Sequence, residues 1–345
     1  MKSICICGGG NLGHVVAGYL SARHNMEVNL LTGHPGRWQQ TIEVTTPEGR
    51  TLEGRLARIA QKAAEVVPQS DMCLLCLPGF AIGQALRDIR PHLAPGVPVG
   101  SIVSSTGFFF EAMKALDSAT PLFGFQRVPF IARTETYGSR AHLLGYKPSL
   151  SMATAHCNGR QSQALAGEVS RMFDTPVHLL DSYYEASLTN SNPLLHTARL
   201  YSMWWRWQPG TVYAEVPQFY SDWTDEASAL LVAMDSEFMQ LLGALHVTPG
   251  SVPTVLDYYE STDAASLTRK LRSIAAFKGI LSPMKKVGDA FVPDFSSRYF
   301  TEDFPYGLAI IHRLAHAHGI DAPHIDRVYG WGTRMLEEAG QTYSQ

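Results

Sequence analysis

The feature that most constrains this chain is its N-terminal segment, a short apolar run followed by closely spaced glycines. The apolar run predicts a buried strand, and the residues after the glycines carry apolar side chains at helical spacing. Between them, Gly8, Gly10 and Gly13 form a G-x-G-x-x-G pattern. In a strand–turn–helix segment these glycines permit a tight turn, close approach of the backbone to a pyrophosphate, and close helix–strand packing. The segment therefore predicts a dinucleotide-binding turn, with Asn11 and Leu12 beside the phosphates at the helix start.

Length and composition limit the remaining possibilities. The chain has 345 residues, of which 45% are hydrophobic and 17% are charged, as expected for about two globular domains. A net charge of −3 offers no electrostatic case for nucleic acid or an anionic membrane as partner. No apolar run approaches a membrane span, and the N-terminus lacks the layout of a signal peptide. The five cysteines lie mostly in apolar strands, so we expect a reduced, cytoplasmic protein.

The end of the second predicted strand, residues 27–31, bears on the choice of dinucleotide. A carboxylate at this place selects NAD by binding the ribose hydroxyls, whereas a basic residue accommodates the extra phosphate of NADP. This chain has no carboxylate there, and Thr32, His34 and Arg37 would suit a phosphate. We therefore predict NADP as cofactor. NAD stays an alternative, because some NAD enzymes also lack the acid and Arg37 could be an ordinary solvated charge.

The remainder of the chain changes character near Asp181. Before it, the pattern predicts a hairpin inserted into the sheet at residues 41–55 and an apolar strand that ends at Leu77 and Pro78. Because strand ends face the cofactor in doubly wound sheets, Leu77 and Pro78 are expected to line the nicotinamide half. After it, the sequence predicts long helices, at residues 183–207, 224–245, 252–277, 305–318 and 323–338. We predict an α/β protein with a Rossmann domain at 1–181 and a helical domain at 182–345, with substrate held between them.

Two segments of the helical half carry candidate chemistry. Asn192 and His196 are four residues apart and share one helix face, although Asn192 could be a helix cap and His196 a core histidine. Asp303 stands just before Pro305, which begins a helix, so the helix dipole favours an ionised carboxylate. Such a carboxylate could hold the tautomer of a histidine and stabilise the protonated ring as a general acid. Spacing alone does not show that the two segments meet.

The combined motifs resemble the opine dehydrogenase family, which includes octopine, nopaline and N-carboxyalkyl-amino-acid dehydrogenases. In chain order they are GGGNLG at 8–13, LPGFA at 77–81, NPLLH at 192–196 and EDFPYGL at 302–308. The resemblance implies a Rossmann domain followed by an all-helical domain of the 6-phosphogluconate-dehydrogenase C-terminal type. It also implies that His196 and Asp303 form the catalytic pair. The chain departs from the family in lacking the usual acidic residue after the second strand.

The reaction implied by this resemblance is a reductive condensation by an oxidoreductase acting on CH–NH donors. The amine of an amino acid adds to an α-keto acid such as pyruvate, water leaves, and NAD(P)H reduces the imine to a secondary amine dicarboxylate. Candidates for binding the substrates are Asn192, Gln126, Arg133 and Tyr306, with Arg199 and Arg298 as further cations. The alternative for Gln126 and for the three arginines is a structural or surface role. Two alternatives are a ketopantoate- or glycerol-3-phosphate-type reductase, which would need a catalytic lysine, and a non-catalytic nucleotide sensor. A homodimer is possible.

Metal binding is not expected from the sequence. Four cysteines occur in pairs on two predicted strands, at Cys5, Cys7, Cys73 and Cys76. A buried sheet also needs small apolar residues, and Cys-x-Cys within one strand lacks a chelating turn. His312 and His316 have helical i, i+4 spacing but no H-E-x-x-H motif. We therefore predict no metal at either place.

Overall fold

The computed structural model describes residues 2–23 and 26–340. The chain divides into two compact units, residues 1–189 and 190–345. This division lies slightly beyond the predicted boundary at Asp181, because the short helix Tyr183–Ser187 packs against strands and a helix of the first unit.

The first unit alternates strands and helices along its described residues. Its strands are β1 (Ser3–Cys7), β2 (Glu27–Leu31), β3 (Thr41–Thr45), β4 (Thr51–Arg55), β5 (Arg58–Ala60), β6 (Cys73–Leu75), β7 (Val99–Ser101), β8 (Leu122–Phe125), β9 (Phe130–Thr136), β10 (Arg140–Tyr146), β11 (Leu150–Ala155) and β12 (Val177–Leu179). Its helices are α1 (Asn11–Ser21), α2 (Gly79–Ile89), α3 (Phe108–Ala115), α4 (Gly159–Phe173) and α5 (Tyr183–Ser187).

The main sheet has eight strands in the order β12-β11-β8-β7-β6-β1-β2-β5. Within this sheet the neighbouring strands β8, β7, β6, β1, β2 and β5 are parallel to one another, whereas β11 runs antiparallel to β8. Every residue of β1 is buried, as expected for a central parallel strand covered on both faces. The predicted Rossmann arrangement is confirmed, and β1 and β6 lie side by side with Cys5 opposite Cys73.

The predicted hairpin at residues 41–55 forms, but its placement in the main sheet was wrong. Strands β3 and β4 belong to a separate four-stranded sheet of order β4-β3-β10-β9. In β3, Ile42 and Val44 are buried and alternate with exposed residues, so only one face of the hairpin needs cover. Helix α1 provides that cover and approaches closely at Gly18, where a Cβ atom would lie 2.5 Å from Val44 Cγ2.

The second unit is helical, as predicted, and also contains a two-stranded hairpin. Its helices are α6 (Asn192–Trp204), α7 (Asp225–Ala244), α8 (Val255–Tyr258), α9 (Ala264–Ser273), α10 (Arg298–Thr301), α11 (Ala309–Ala317) and α12 (Pro323–Glu338), and a π-helical segment spans Phe304–Leu308. Strands β13 (Met284–Val287) and β14 (Ala290–Pro293) form the hairpin. Among the described residues, no helix combines the length and apolar character needed to cross a bilayer.

Two of the predicted long helices are divided into shorter ones. The segment 183–207 breaks between α5 and α6, where the Asn190 side chain accepts a hydrogen bond from the Asn192 amide. The segment 252–277 forms two separate helices, α8 and α9. Thr254 caps the start of α8 and Asp263 caps the start of α9, because the side chain of each accepts a hydrogen bond from a backbone amide. Short polar side chains that bond to nearby backbone groups compete with a continuous helix, and hydrophobic spacing does not register this competition.

Candidate active site

The glycine-rich turn connects β1 to α1 and has the geometry that a dinucleotide requires. Gly8 has φ of +122°, and a Cβ atom there would lie 2.5 Å from the Cys76 carbonyl oxygen. A Cβ atom at Gly13 would overlap the Gly8 carbonyl oxygen. By contrast, among the described residues no atom beyond its own chain neighbours lies within 4 Å of a Cβ built at Gly10, which precedes α1 without a side-chain cap. The first amides of α1 are therefore open to a phosphate, and a pyrophosphate fits this turn.

The other residues predicted to contact the cofactor surround the same turn. The Asn11 side chain is exposed, and its Oδ1 accepts a hydrogen bond from the Thr134 amide at 3.0 Å. Leu12 is half-buried and packs against the core. Leu77 and Pro78 are half-buried after β6, and Pro78 precedes α2. Their role at the nicotinamide remains a prediction.

The end of β2 carries the residues predicted to recognise a phosphate. Thr32 is buried beneath the turn, and its hydroxyl lies 2.7 Å from the position of a Cβ at Gly9. His34 and Arg37 are exposed. The Arg37 guanidinium stacks over the Tyr137 ring at 4.3 Å, and no ion pair of Arg37 is found among the described residues. Of the three, His34 and Arg37 are therefore the ones that present donors to solvent.

Sequence reasoning missed His14, which stabilises the turn from within α1. Its ring is fully buried and stacks on Trp38 with centroids 4.1 Å apart. Nε2 accepts a hydrogen bond from the Gly138 amide at 2.7 Å, so Nδ1 carries the proton and donates to the Gly10 carbonyl at 2.9 Å. Burial lowers the pKa of His14, which keeps this ring neutral. His14 thus ties the turn to the loop between β9 and β10.

The second unit brings together the two residues predicted to be catalytic. His196 lies on α6 and Asp303 immediately precedes the π-helical segment. His196 Nδ1 and Asp303 Oδ2 are 2.8 Å apart, and the two side chains are only 11% and 18% exposed. A carboxylate at this distance holds the ring with its proton on Nδ1. The other ring nitrogen, Nε2, is then the atom that can exchange a proton.

A third member of this centre, Tyr220, was not predicted from the sequence. Its hydroxyl lies 2.9 Å from His196 Nε2, and burial raises the pKa of Tyr220 so that it stays protonated. With a neutral imidazole the Tyr220 hydroxyl donates to Nε2, and with an imidazolium it accepts. The Tyr299 ring contacts His196 edge-on with centroids 4.8 Å apart. Both tyrosines lie outside any periodic pattern, so only the folded contacts identify them.

Close packing of small residues explains how the two motifs meet. Gly307, in the π-helical segment, abuts Pro193 of α6, and a Cβ at Gly307 would lie 2.5 Å from Pro193 Cγ. Gly332 of α12 gives the same kind of room to the Phe304 ring. The π-helical turn itself is closed by a bond from the Leu308 amide to the Asp303 carbonyl at 2.8 Å. Such turns are frequent at functional sites, since they alter the direction of nearby side chains.

The start of α6 differs from the expectation that Asn192 caps it. The residue before the helix is Ser191, and the amide of Asn192 bonds to the Asn190 side chain instead. Asn192 itself is exposed, one turn before His196. Tyr306 is half-buried and follows Asp303. Both remain candidates for contacting substrate.

The remaining predicted substrate ligands differ in whether their side chains already have bonding partners. Gln126 Nε2 donates to the Glu185 carbonyl at 3.3 Å, and Arg133 is exposed on β9. Arg298 is already held by a bidentate pair with Glu302, with both N···O distances at 2.8 Å. The Arg298 guanidinium therefore already has a carboxylate partner.

The contacts of Arg199 favour the structural alternative over substrate binding. It is 3% exposed, and its guanidinium donates to the carbonyls of Phe219 and Asp222 at 3.0 and 2.7 Å. Burial lowers the pKa of Arg199 to about 10. These bonds fix the segment that carries Tyr220, so Arg199 is a positioning residue for the centre and not an open ligand for substrate.

Comparison with known proteins bears on the family. A family model described as "NAD/NADP octopine/nopaline dehydrogenase, alpha-helical domain" matches residues 179–336, and one described as "Ketopantoate reductase PanE/ApbA" matches residues 4–108. The chain is 28% identical to the tauropine dehydrogenase of Arabella iricolor, with 97% of this chain and 92% of that protein covered. It is 27% identical to the opine dehydrogenase of Haliotis discus hannai, with 97% and 90% covered. These comparisons support the opine dehydrogenase family for this chain.

The comparisons support the predicted family and confirm the predicted enzyme class. The chain is a nicotinamide-dinucleotide-dependent oxidoreductase acting on CH–NH donors. A solved octopine dehydrogenase with NADH and L-arginine has a TM-score of 0.85 at 24% identity, covering 100% of this chain and 91% of that one. The likeness to ketopantoate reductases in the family comparison is confined to the nucleotide-binding half. The helical half, which carries His196 and Asp303, matches the octopine/nopaline family instead.

Proposed function

We propose that His196, Asp303 and Tyr220 form the acid–base centre with which this enzyme condenses an amino acid with an α-keto acid and reduces the product. The observation that carries this proposal is the 2.8 Å contact between His196 Nδ1 and Asp303 Oδ2. Two polar side chains 107 residues apart are brought together in a largely buried place. A buried histidine held this way on one nitrogen, with a hydroxyl on the other, is suited to proton transfer.

The proton transfers follow from this geometry. The amine nitrogen attacks the keto carbon, and a C–N bond forms as the C=O electron pair moves to oxygen. The nitrogen then gives up a proton and the alkoxide oxygen takes one up, which yields a neutral carbinolamine. Protonated His196 donates from Nε2 to the hydroxyl of this carbinolamine, which leaves as water with the C–O electron pair. The nitrogen lone pair forms the iminium, whose carbon is reduced to the secondary amine. When bound, the nicotinamide dinucleotide supplies the hydride for that reduction.

Asp303 and Tyr220 support this proton transfer in different ways. The Asp303 carboxylate accepts the Nδ1–H bond throughout, so the positive charge on the imidazolium is balanced while substrate is processed. The Tyr220 hydroxyl meets Nε2, the atom that gives up the proton. It can hold the ring in place between turnovers.

Related enzymes support the substrate class. Octopine dehydrogenase has been solved with NADH and L-arginine, and with NADH and pyruvate. We infer that this enzyme also takes an amino acid as amine donor and a small α-keto acid such as pyruvate. Asn192 and Tyr306, next to His196 and Asp303 in the chain, are candidate ligands for the substrate, together with Gln126 and Arg133.

For the cofactor we infer NADP. The turn with Gly8, Gly10 and Gly13 would hold the pyrophosphate, and the exposed His34 and Arg37 would contact the additional phosphate. Both nicotinamide cofactors occur among similar structures, since octopine dehydrogenase was solved with NADH and yersinopine dehydrogenase with NADP+. The absence of a carboxylate after β2 is the feature that favours NADP here.

Replacement of His196 tests the proposed centre directly. With pyruvate and a panel of amino acids, oxidation of NADPH at 340 nm should fall on the order of 10²- to 10⁴-fold in His196→Ala, because the proton donor is lost. NADPH affinity should be unchanged, since the glycine turn lies in the other compact unit. His318→Ala, which removes an exposed histidine, is the matched control and should keep full activity. Equal turnover in His196→Ala and wild type would refute the assignment.

A further inference from the structure

A second cluster of polar side chains lies on helices α11 and α12 and has no part in the proposed reaction. His312 and His316 occupy positions i and i+4 of α11, with ring centroids 4.5 Å apart. Asp326 reaches them from the first turn of α12. One ligand atom from each of the three residues lies within 4.8 Å of the others. Within residues 2–23 and 26–340, this is the only such group of three or more metal-ligating side chains.

The orientation of the rings is that of a metal-binding pair. Both Nε2 atoms point at the same carboxylate oxygen, with distances of 3.3 Å from His312 and 2.9 Å from His316 to Asp326 Oδ1. Ligand atoms at about 2.0–2.2 Å from a tetrahedral zinc ion lie roughly 3.3–3.6 Å from one another. The two nitrogen–oxygen separations are therefore close to those in an occupied site. Without an ion, His316 Nε2–H donates a hydrogen bond to Asp326 Oδ1, and a bound ion would replace that proton.

The surroundings of His312 restrict the orientation of its ring. Its ring stacks on Tyr329 with centroids 4.1 Å apart, which limits rotation of the imidazole. The neutral form with a free lone pair is the one that binds metal. Two imidazoles held near one shared oxygen thus present two nitrogen ligands and one oxygen ligand in a partly exposed place.

We propose that His312, His316 and Asp326 form a zinc site that links α11 to α12, with water completing the coordination. Two imidazole nitrogens and one carboxylate suit Zn²⁺, whereas Mg²⁺ and Ca²⁺ prefer ligand sets made of oxygen. The sequence predicted no metal here, because no H-E-x-x-H motif accompanies the histidine pair. The folded chain supplies the third ligand from a different helix. Since the ion binds the folded pair of helices, its binding stabilises the native state.

The test uses the full chain, stripped of metal with EDTA and then exchanged into buffer without chelator. Titration with ZnCl₂, followed by calorimetry, should give one site, and ZnCl₂ should raise the melting temperature. In His316→Ala the zinc affinity should fall more than about tenfold, because a direct ligand is lost, and the rise in melting temperature should disappear. His316 is exposed, so this variant keeps its fold.

The matched control is His318→Ala, which removes an exposed histidine from the same end of α11 but outside the cluster. It should bind Zn²⁺ as the wild type does. Asp326→Asn should weaken binding in the same direction as His316→Ala. Absence of zinc binding by the wild type, equal zinc affinity in wild type and His316→Ala, or an affinity for MgCl₂ that equals that for ZnCl₂ would each overturn the proposal.

Discussion

The chemistry assigned to His196 depends on which ring nitrogen carries the proton when the ring is neutral. Asp303 Oδ2 lies 2.8 Å from Nδ1, so the carboxylate holds the proton there and leaves Nε2 as acceptor. The Tyr220 hydroxyl occupies that acceptor at 2.9 Å. Each ring nitrogen therefore has a defined partner, and removal of the Tyr220 hydroxyl tests the centre.

Removal of the Tyr220 hydroxyl should slow turnover without affecting cofactor binding. In Tyr220→Phe we expect kcat to fall roughly five- to tenfold, since one neutral hydrogen bond contributes about 1 kcal/mol to positioning the ring. The Kd for NADPH should not change. Steady-state kinetics and fluorescence titration with NADPH measure the two quantities separately.

Tyr299→Phe provides the matched control for that experiment. The Tyr299 ring also contacts His196, but no bond between its hydroxyl and the imidazole is found in the described structure. This variant should keep kcat within about twofold of wild type, because a hydroxyl that does not bond to the imidazole contributes little to positioning it. Equal losses in the two variants would show that ring packing, and not the hydroxyl at Nε2, accounts for the effect.

Arg37 is the residue that should separate the two cofactors. In Arg37→Ala we expect the Kd for NADPH to rise roughly 10- to 100-fold, as charge-assisted hydrogen bonds to a phosphate contribute about 1.5–3 kcal/mol. The Kd for NADH should change little, because NADH lacks that phosphate. Arg50→Ala, which removes an exposed arginine elsewhere on the first unit, is the control. A similar loss of affinity for both cofactors in Arg37→Ala would contradict the phosphate role.

At the scale of elements, the sequence predicts what its apolar patterns encode. Strand β1 and helix α12 form where predicted, because a continuous apolar run and a clear helical period leave few alternatives. The hairpin at residues 41–55 was placed in the wrong sheet, since alternation shows that one face is buried but not which layer buries it.

The candidate site was predictable only in part. His196 and Asp303 were identified through resemblance to a family, and their contact could not be derived from spacing. Tyr220 lies in an irregular segment without periodicity, and Arg199, which fixes that segment, was predicted to be a candidate substrate ligand. Long-range contacts between irregular segments depend on the packing of several elements at once, which a pattern along one chain does not contain.

The contact between α6 and the π-helical segment gives a prediction about element packing. In Gly307→Ala the new methyl group would lie 2.5 Å from Pro193 Cγ, so α6 must shift. Because a displacement of about 1 Å can cost as much as 100-fold in rate, kcat/KM should fall roughly 10- to 100-fold. Overpacking should also lower the free energy of unfolding by about 1–3 kcal/mol. Kinetics and urea unfolding measure the two effects.

Gly243→Ala is the matched control, since Gly243 is an exposed helical glycine of α7. Within the described part of the chain, no atom outside its own stretch of helix lies within 4 Å of an added Cβ. There the substitution should leave kcat/KM unchanged and stabilise the protein by up to about 1 kcal/mol, the usual difference between alanine and glycine in a helix. If both variants had the same kcat/KM, close approach at Gly307 would not be what positions His196 and Asp303.

Across the whole molecule, the two compact units carry different parts of the function. The first, residues 1–189, contains the glycine turn and the basic end of β2, and the second, residues 190–345, contains the acid–base centre.

The second unit also buries a carboxylate that the reaction does not use. Asp235 of α7 is 7% exposed, and its Oδ2 accepts a bond from the Val255 amide at 2.9 Å. Burial raises the pKa of Asp235 to about 6, and the charge of Asp257 adds to this effect.

This carboxylate makes the stability of the protein depend on pH. Its ordinary pKa is 3.8 and its pKa in the folded state is about 6, so between these values the folded chain holds a proton that the unfolded chain has released. The free energy of unfolding should therefore fall as pH rises through this window, by about 3 kcal/mol for this group. Asp235→Asn keeps an oxygen acceptor for the Val255 amide and removes the titration. Urea unfolding should show the variant to be more stable than wild type above pH 6, with the difference vanishing below pH 4. A difference that stays constant across this range would mean that Asp235 is ionised in the folded protein throughout, and that burial does not govern its proton.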